Sequence, residues 1–198
     1  EAAAQIAHLL RLGLYDFGIT QAQDLPMYGA NCLMFKLGFK TWNYKPNQCD
    51  FLDLRGWTGA LTCPQQDCKV TACEHIGCAK GLTRDELLQA CVLVGTDYYP
   101  SGLPRVGLKT ACSLIKSCKS VEGAARFKNT QPGVIRLLQR AYCTFLFQIV
   151  RTPAVDNLPS KAVHLRADLL DSLPSDHEDF LGAKPPPRMM DAIASRRR

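Results

Sequence analysis

The chain has 198 residues, 46% of them hydrophobic, a net charge of +6 and an isoelectric point near 8.8. That length suits one globular domain with a real core, and the modest basic excess is compatible with a phosphate-bearing partner. No apolar run reaches the roughly 18 residues of a membrane-crossing helix, so a membrane is not an expected partner. The longest run, Ala141 to Val150, is interrupted by polar residues.

Along the chain, Ala2 to Leu12 is rich in alanine and leucine and is predicted helical, with Gly13 as its stop. Tyr15 to Thr20 reads as a short strand and Cys32 to Leu37 as another. Residues 38–62 hold Trp42, Tyr44, Phe51 and Trp57 among polar residues and suggest a hairpin or extended arm. Its aromatics serve either local packing or base stacking. Thr83-Arg-Asp-Glu86 fits a capping box opening a helix that runs to Val94. Leu108 to Ser117 is the next helix, with Lys109 and Lys116 on it. Val134 to Val150 is predicted as one long helix, with apolar spacing at Val134, Leu137, Leu138, Tyr142, Phe145, Leu146 and Ile149, ended by Pro153. Beyond Leu158 the chain, with Pro185-Pro-Pro187 and a terminal Arg196-Arg-Arg198, reads either as an extended tail that contacts an acidic partner or as a solvated, mobile terminus.

Ten cysteines is a high count. Cys91, Cys112 and Cys143 fall at apolar helix positions and read as small core hydrophobes. The cluster Cys63-x4-Cys68-x4-Cys73-x-His75-x2-Cys78 differs, because five soft ligands in one loop suffice for a tetrahedral Zn²⁺. The spacing departs from the common Cys-x2-Cys pairs, so free thiols and disulfides remain alternatives to zinc.

The run from Gly95-Thr-Asp97 to Gly102-Leu-Pro-Arg-Val-Gly107 lies between two predicted helices. It places the carboxylate of Asp97 at a helix end and a tight hairpin at the start of the next helix. Unpaired N–H groups and the helix dipole there favour an anion such as a phosphate. An ordinary helix–turn–helix packing corner is the alternative.

These residues resemble the helix–hairpin–helix signature of the flap-endonuclease, or XPG-type, 5′-nuclease superfamily. A second likeness lies in Glu1-Ala-Ala-Ala-Gln5 and Gly18-Ile-Thr-Gln-Ala-Gln-Asp-Leu25, where the family has Glu-Ala-(Glu/Asp)-Ala and then Thr-Glu-Asp-x-Asp-(Leu/Cys). A third is Thr144-Phe-Leu-Phe-Gln-Ile-Val150, similar to the helix closing the nuclease domain in the exonuclease branch. The hairpin is most similar to the Holliday-junction-resolvase branch. The resemblance implies an α/β fold: a PIN-like, Rossmann-like partial nuclease domain over 1–157, with a Cys-rich insert at 38–80, a helix–hairpin–helix at 83–118, and an extension at 158–198.

Family members cut phosphodiesters with two divalent metals about 4 Å apart, held by carboxylates. Carried over residue by residue, the five acids of this half fall on Glu1, Ala3, Ala22, Asp24 and Asp97, so two are alanine, and Gln21 replaces a usual glutamate. Glu1, Asp24 and Asp97 are the residual metal-site carboxylates, either holding one weak metal or serving as plain surface or cap carboxylates, with Mg²⁺ expected to be weak or absent. The family's N-terminal half, with its first strand and further ligands, precedes the match, and the chain is expected to be a fragment, a processed product or one piece of a split protein. The resemblance also implies backbone contacts to nucleic acid, DNA or RNA, from Gly102, Arg105, Val106, Gly107 and Lys109, with a K⁺ ion at the hairpin.

Three functions follow from these features. The departures favour a degenerate nuclease that binds nucleic-acid backbone as a subunit among other protein chains, including a large ribonucleoprotein such as a mitochondrial ribosome. The second is an active, metal-dependent structure-specific 5′ flap endonuclease or exonuclease in DNA repair, with its N-terminal half supplied elsewhere. The third is a protein-interaction module without nucleic acid. The expected location is intracellular, mitochondrial or nuclear.

Overall fold

A computed structural model describes residues 2–22, 24–35, 50–54, 79, 81–153 and 161–182. The chain divides into two compact units, residues 1–55 with 144–198, and residues 56–143. The first mixes helix and strand, and the described part of the second is mainly helical, so the chain is α/β.

The first unit begins with α1 (Ala2–Arg11), whose Ala3, Ala4, Ala7 and Leu10 are buried. Gly13, at φ +69°, ends it as the sequence indicates. A short strand β1 (Gly18–Thr20) follows, narrower than the stretch from Tyr15. Gly18 lets α1 approach β1: a Cβ there would stand 3.1 Å from Leu10 and 3.2 Å from Leu33. β1 pairs in parallel with β2 (Cys32–Phe35), and β2 pairs antiparallel with β3 (Asp50–Asp53), Leu33 lying opposite both Gly18 and Leu52. Phe51, from the expected arm, is exposed on β3, whereas Trp42, Tyr44 and Trp57 lie outside the described residues.

The second unit holds α2 (Arg84–Val94), α3 (Leu108–Cys118), α4 (Val121–Phe127) and most of α5 (Pro132–Phe147). The capping box is present: the Glu86 N–H donates to Thr83 Oγ1 at 3.1 Å, and the Thr83 N–H to Glu86 Oε2 at 2.9 Å. A polar knot ties α2 to its neighbours. Gln89 donates to Asp85 at 2.8 Å and accepts from the Val121 N–H at 2.9 Å, and the Tyr142 hydroxyl donates to Asp85 at 2.6 Å. Cys112 and Cys143 are buried as expected, and Cys91 is half-buried.

The long helix predicted to Val150 stops at Phe147, and Ile149 and Val150 open a strand, β4 (Ile149–Thr152). It pairs antiparallel with β5 (Lys161–His164), so Pro153 ends a strand rather than a helix. The reason is that three terminal carbonyls have partners beyond reach of local sequence. Leu146 O accepts from the Arg166 N–H at 3.0 Å, Gln148 O from the Leu165 N–H at 2.8 Å, and Phe147 O from His164 Nδ1 at 2.8 Å. The expected extended tail is likewise corrected. β5 is followed by a 3₁₀ segment (Ala167–Ser172) and a one-turn helix α6 (Glu178–Leu181), while Pro185–Pro187 and Arg196–Arg198 lie outside the described residues. Gln5 joins α1 to β4 with a pair of hydrogen bonds: its Nε2 donates to Arg151 O at 2.9 Å and its Oε1 accepts from the Arg151 N–H at 2.7 Å. No helix among the described residues is long and apolar enough to cross a membrane.

Candidate nucleic-acid interface

The α2–α3 hairpin is built from three glycines and one buried leucine. Gly95, at φ +127°, closes α2 by donating to Cys91 O at 3.0 Å. A tight turn follows, with Thr96 and Tyr99 exchanging backbone hydrogen bonds of 3.2 and 3.0 Å, which lifts Asp97 to an exposed tip. Leu103 then buries its side chain and donates its N–H to Leu93 O at 2.7 Å. Gly102 has φ +52°, and a Cβ there would collide with the carbonyls of Val94 and Leu93, so only glycine lets the loop return this closely to α2.

Two of the expected phosphate donors are turned inward. The Gly102 N–H donates to Tyr99 O at 3.3 Å and the Val106 N–H to Leu103 O at 3.2 Å, because the hairpin closes on them. Gly107, exposed at φ −88°, is the N-cap of α3, and no side chain caps that end. By contrast, α2 is capped by Thr83 and α4 by Ser120. The N–H groups of the first turn of α3 are therefore those an anion would meet. Arg105 and Lys109 are exposed beside them, and Arg105 holds φ +60°, a conformation that costs a residue with a Cβ about 1–2 kcal/mol. Residues 81–143 hold nine Lys and Arg against four Asp and Glu, which places +5 of the chain's +6 in this unit.

Two of the three residual carboxylates fall among the described residues. Asp24 is half-buried in the first unit, where its carbonyl accepts from the Met27 N–H at 2.8 Å, while Asp97 belongs to the second unit. Glu1 lies outside the described residues. Ala3 is buried in α1 and Ala22 is exposed, and neither offers a ligand atom. Among the described residues no three His, Cys, Asp or Glu side chains form a group able to hold a metal. Cys63, Cys68, Cys73, His75 and Cys78 lie outside the described residues.

Sequence patterns pointed to the hairpin and to Lys109, but not to the inward direction of two amides. They also missed α4, only seven residues long, whose buried face is Val121, Ala124 and Ala125. Alanines give a weak periodic signal.

Residues 1–97 match the XPG I-region. Exonuclease 1 of Arabidopsis thaliana is 33% identical over 98% of this chain and 23% of its own length. Flap endonuclease 1 of Methanocella arvoryzae is 29% identical over 59% of this chain and 30% of its own length. Human flap endonuclease GEN homolog 1 is 28% identical over 73% of this chain and 14% of its own length. The chain thus spans less than a third of each of these relatives. Among solved structures, flap endonuclease-1 from Methanococcus jannaschii overlays 91% of this chain and 48% of its own with a TM-score of 0.47 and 17% identity. With its I-region and its glycine-bound hairpin, the chain belongs to the XPG-type 5′-nuclease superfamily.

Proposed function

We propose that this chain is a catalytically degenerate member of the 5′-nuclease superfamily that grips nucleic-acid backbone through the α2–α3 hairpin, as part of a larger assembly. The observation that carries the reading is the α3 N-terminus. It has no side-chain cap and is flanked by exposed Arg105 and Lys109, in a unit with a +5 charge. An uncapped helix start with two cations suits a phosphate, and such contacts hold a duplex without reading its sequence. Alanine at positions 3 and 22 removes the carboxylates that hydrolysis needs. A ribonucleoprotein, mitochondrial or nuclear, is the kind of assembly in which backbone grip alone is useful. Coverage of nearly the whole chain by exonuclease 1 favours the exonuclease branch.

The test is binding of blunt DNA and RNA duplexes by the full chain across a salt series, with Lys109→Glu beside it. Affinity is expected to fall steeply with salt, and the variant to weaken binding about equally on all sequences. Binding that ignores salt, or no binding to either duplex, would sink the reading and leave a protein-interaction module.

A second reading has its own support. Leu12, Leu14, Tyr15, Phe17 and Ile19 are all exposed, Tyr15 at 62% and Ile19 at 57%, and they lead into β1 at an edge of its described sheet. Parallel strands are normally covered on both faces. That surface suits a further segment completing the domain, and with it a working nuclease whose N-terminal half comes from elsewhere. Co-expression with the N-terminal half of an exonuclease 1 tests this. A stable complex that cleaves a DNA flap would establish it, and cleavage that rises with Ala3→Glu and Ala22→Asp would assign the deficit to those positions.

A further inference from the structure

We propose that the α4–α5 corner is a second nucleic-acid contact, in which Phe127 stacks on an unpaired base and the cations around it hold the flanking phosphates. This rests on the reading of the second unit as a nucleic-acid grip, and adds to it a class of ligand that the hairpin does not select.

Phe127 is 70% exposed, more than any other large apolar side chain among the described residues. Its exposure is built in. Val121, Ala124 and Ala125 take the buried side of α4, and the chain beyond Phe127 is closed by hydrogen bonds. The Lys128 N–H donates to Ala124 O at 3.2 Å, Asn129 to Arg126 O at 2.9 Å, and Thr130 to Ala125 O at 3.0 Å. Asn129 turns the chain at φ +52°, and Gln131 O then accepts from Val134 and Ile135 at 3.0 and 3.2 Å to start α5. The ring therefore stands on a closed corner, and holding it there costs little entropy on binding.

Charge identifies the occupant. From Gly123 to Cys143 the second unit has no Asp or Glu, yet it carries Arg126, Lys128, Arg136 and Arg140. Glu122, on α4 itself, is paired with Arg126 and accepts from Gln139 at 2.9 Å. A stretch with cations in excess of acids suits a polyanion, and an exposed aromatic within it suits a base rather than a broad apolar protein surface. Bases inside a duplex hide their faces, so the ring selects a single strand or a splayed nucleotide.

The experiment uses the full chain with Phe127→Ala and Phe127→Trp on four probes: blunt duplex, the same duplex with a single-stranded overhang, oligo-dT and oligo-U. Phe127→Ala is expected to weaken overhang and oligonucleotide binding about ten-fold, leave blunt duplex unchanged, and be rescued by tryptophan. The two oligonucleotides separate deoxyribose from ribose ligands. Equal overhang binding by wild type and Phe127→Ala overturns the inference, as does equal loss on every probe. A protein partner lost in Phe127→Ala while strand binding survives also overturns it. Phe127-dependent binding of oligo-dT with no binding of blunt duplex would sustain the corner and remove the hairpin grip instead.

Discussion

The N–H of Leu103 donates to the carbonyl of Leu93 at 2.7 Å, pinning the far side of the hairpin to the last turn of α2. That bond satisfies a helix-end carbonyl and sets where α3 begins. It forms only because Gly102 lies flat against the Val94 and Leu93 carbonyls at φ +52°. Gly102→Ala is expected to cost about 2–4 kcal/mol, since the clash is with backbone and cannot be relieved by a side-chain rotation. Urea unfolding measures it. An unchanged midpoint would mean that the loop does not close on α2 as described.

Arg105 separates stability from binding. It adopts φ +60° where glycine would be cheaper, and its side chain is exposed beside the uncapped start of α3. Arg105→Gly is expected to stabilise the fold by about 0.5–1 kcal/mol while weakening duplex binding several-fold. Thermal unfolding and duplex titration on the same preparation test both halves. A variant that is more stable and binds duplex as well as wild type would remove Arg105 from the interface.

Local chemistry was legible where it acted locally. The Thr83–Glu86 box, the stop at Gly13 and the glycines of the hairpin each follow from residues within a turn of one another. The end of α5 was not legible, because Ile149 and Val150 fit helical spacing as well as a strand. What stops the helix is a set of donors, Arg166, Leu165 and His164, that only the folded chain brings near. The same holds for the site: the sequence marks Gly102 and Val106 as hairpin residues, and only the fold commits their amides inward.

Gln5 is a test of how the first unit is fastened. Its side-chain amide meets both backbone groups of Arg151, so one residue on α1 acts toward β4 as a paired strand would. Gln5→Ala leaves a part-buried donor and acceptor without their partners and is expected to cost about 1–3 kcal/mol. Hydrogen exchange at the Arg151 amide, measured with global stability, checks it. An amide equally protected in the variant would show that Gln5 does not hold β4.

His8 supplies the pH dependence of the same contact. Its imidazole is buried beside Thr152, with Nε2 3.1 Å from Thr152 Oγ1. Burial pushes the His8 pKa below the ordinary histidine value near 6.5, and the neighbouring Arg11 guanidinium lowers it further. As pH falls through about 6.5, the unfolded chain takes up the proton before the folded one does. Stability from the neutral ring is therefore present above that pH and lost below it, down to the depressed folded value. His8→Gln keeps a polar group facing Thr152 but cannot titrate. Unfolding free energies measured from pH 7.5 to 5 are expected to fall for wild type more steeply than for the variant. Parallel curves would show that the imidazole is already charged, or equally solvated, in the folded state.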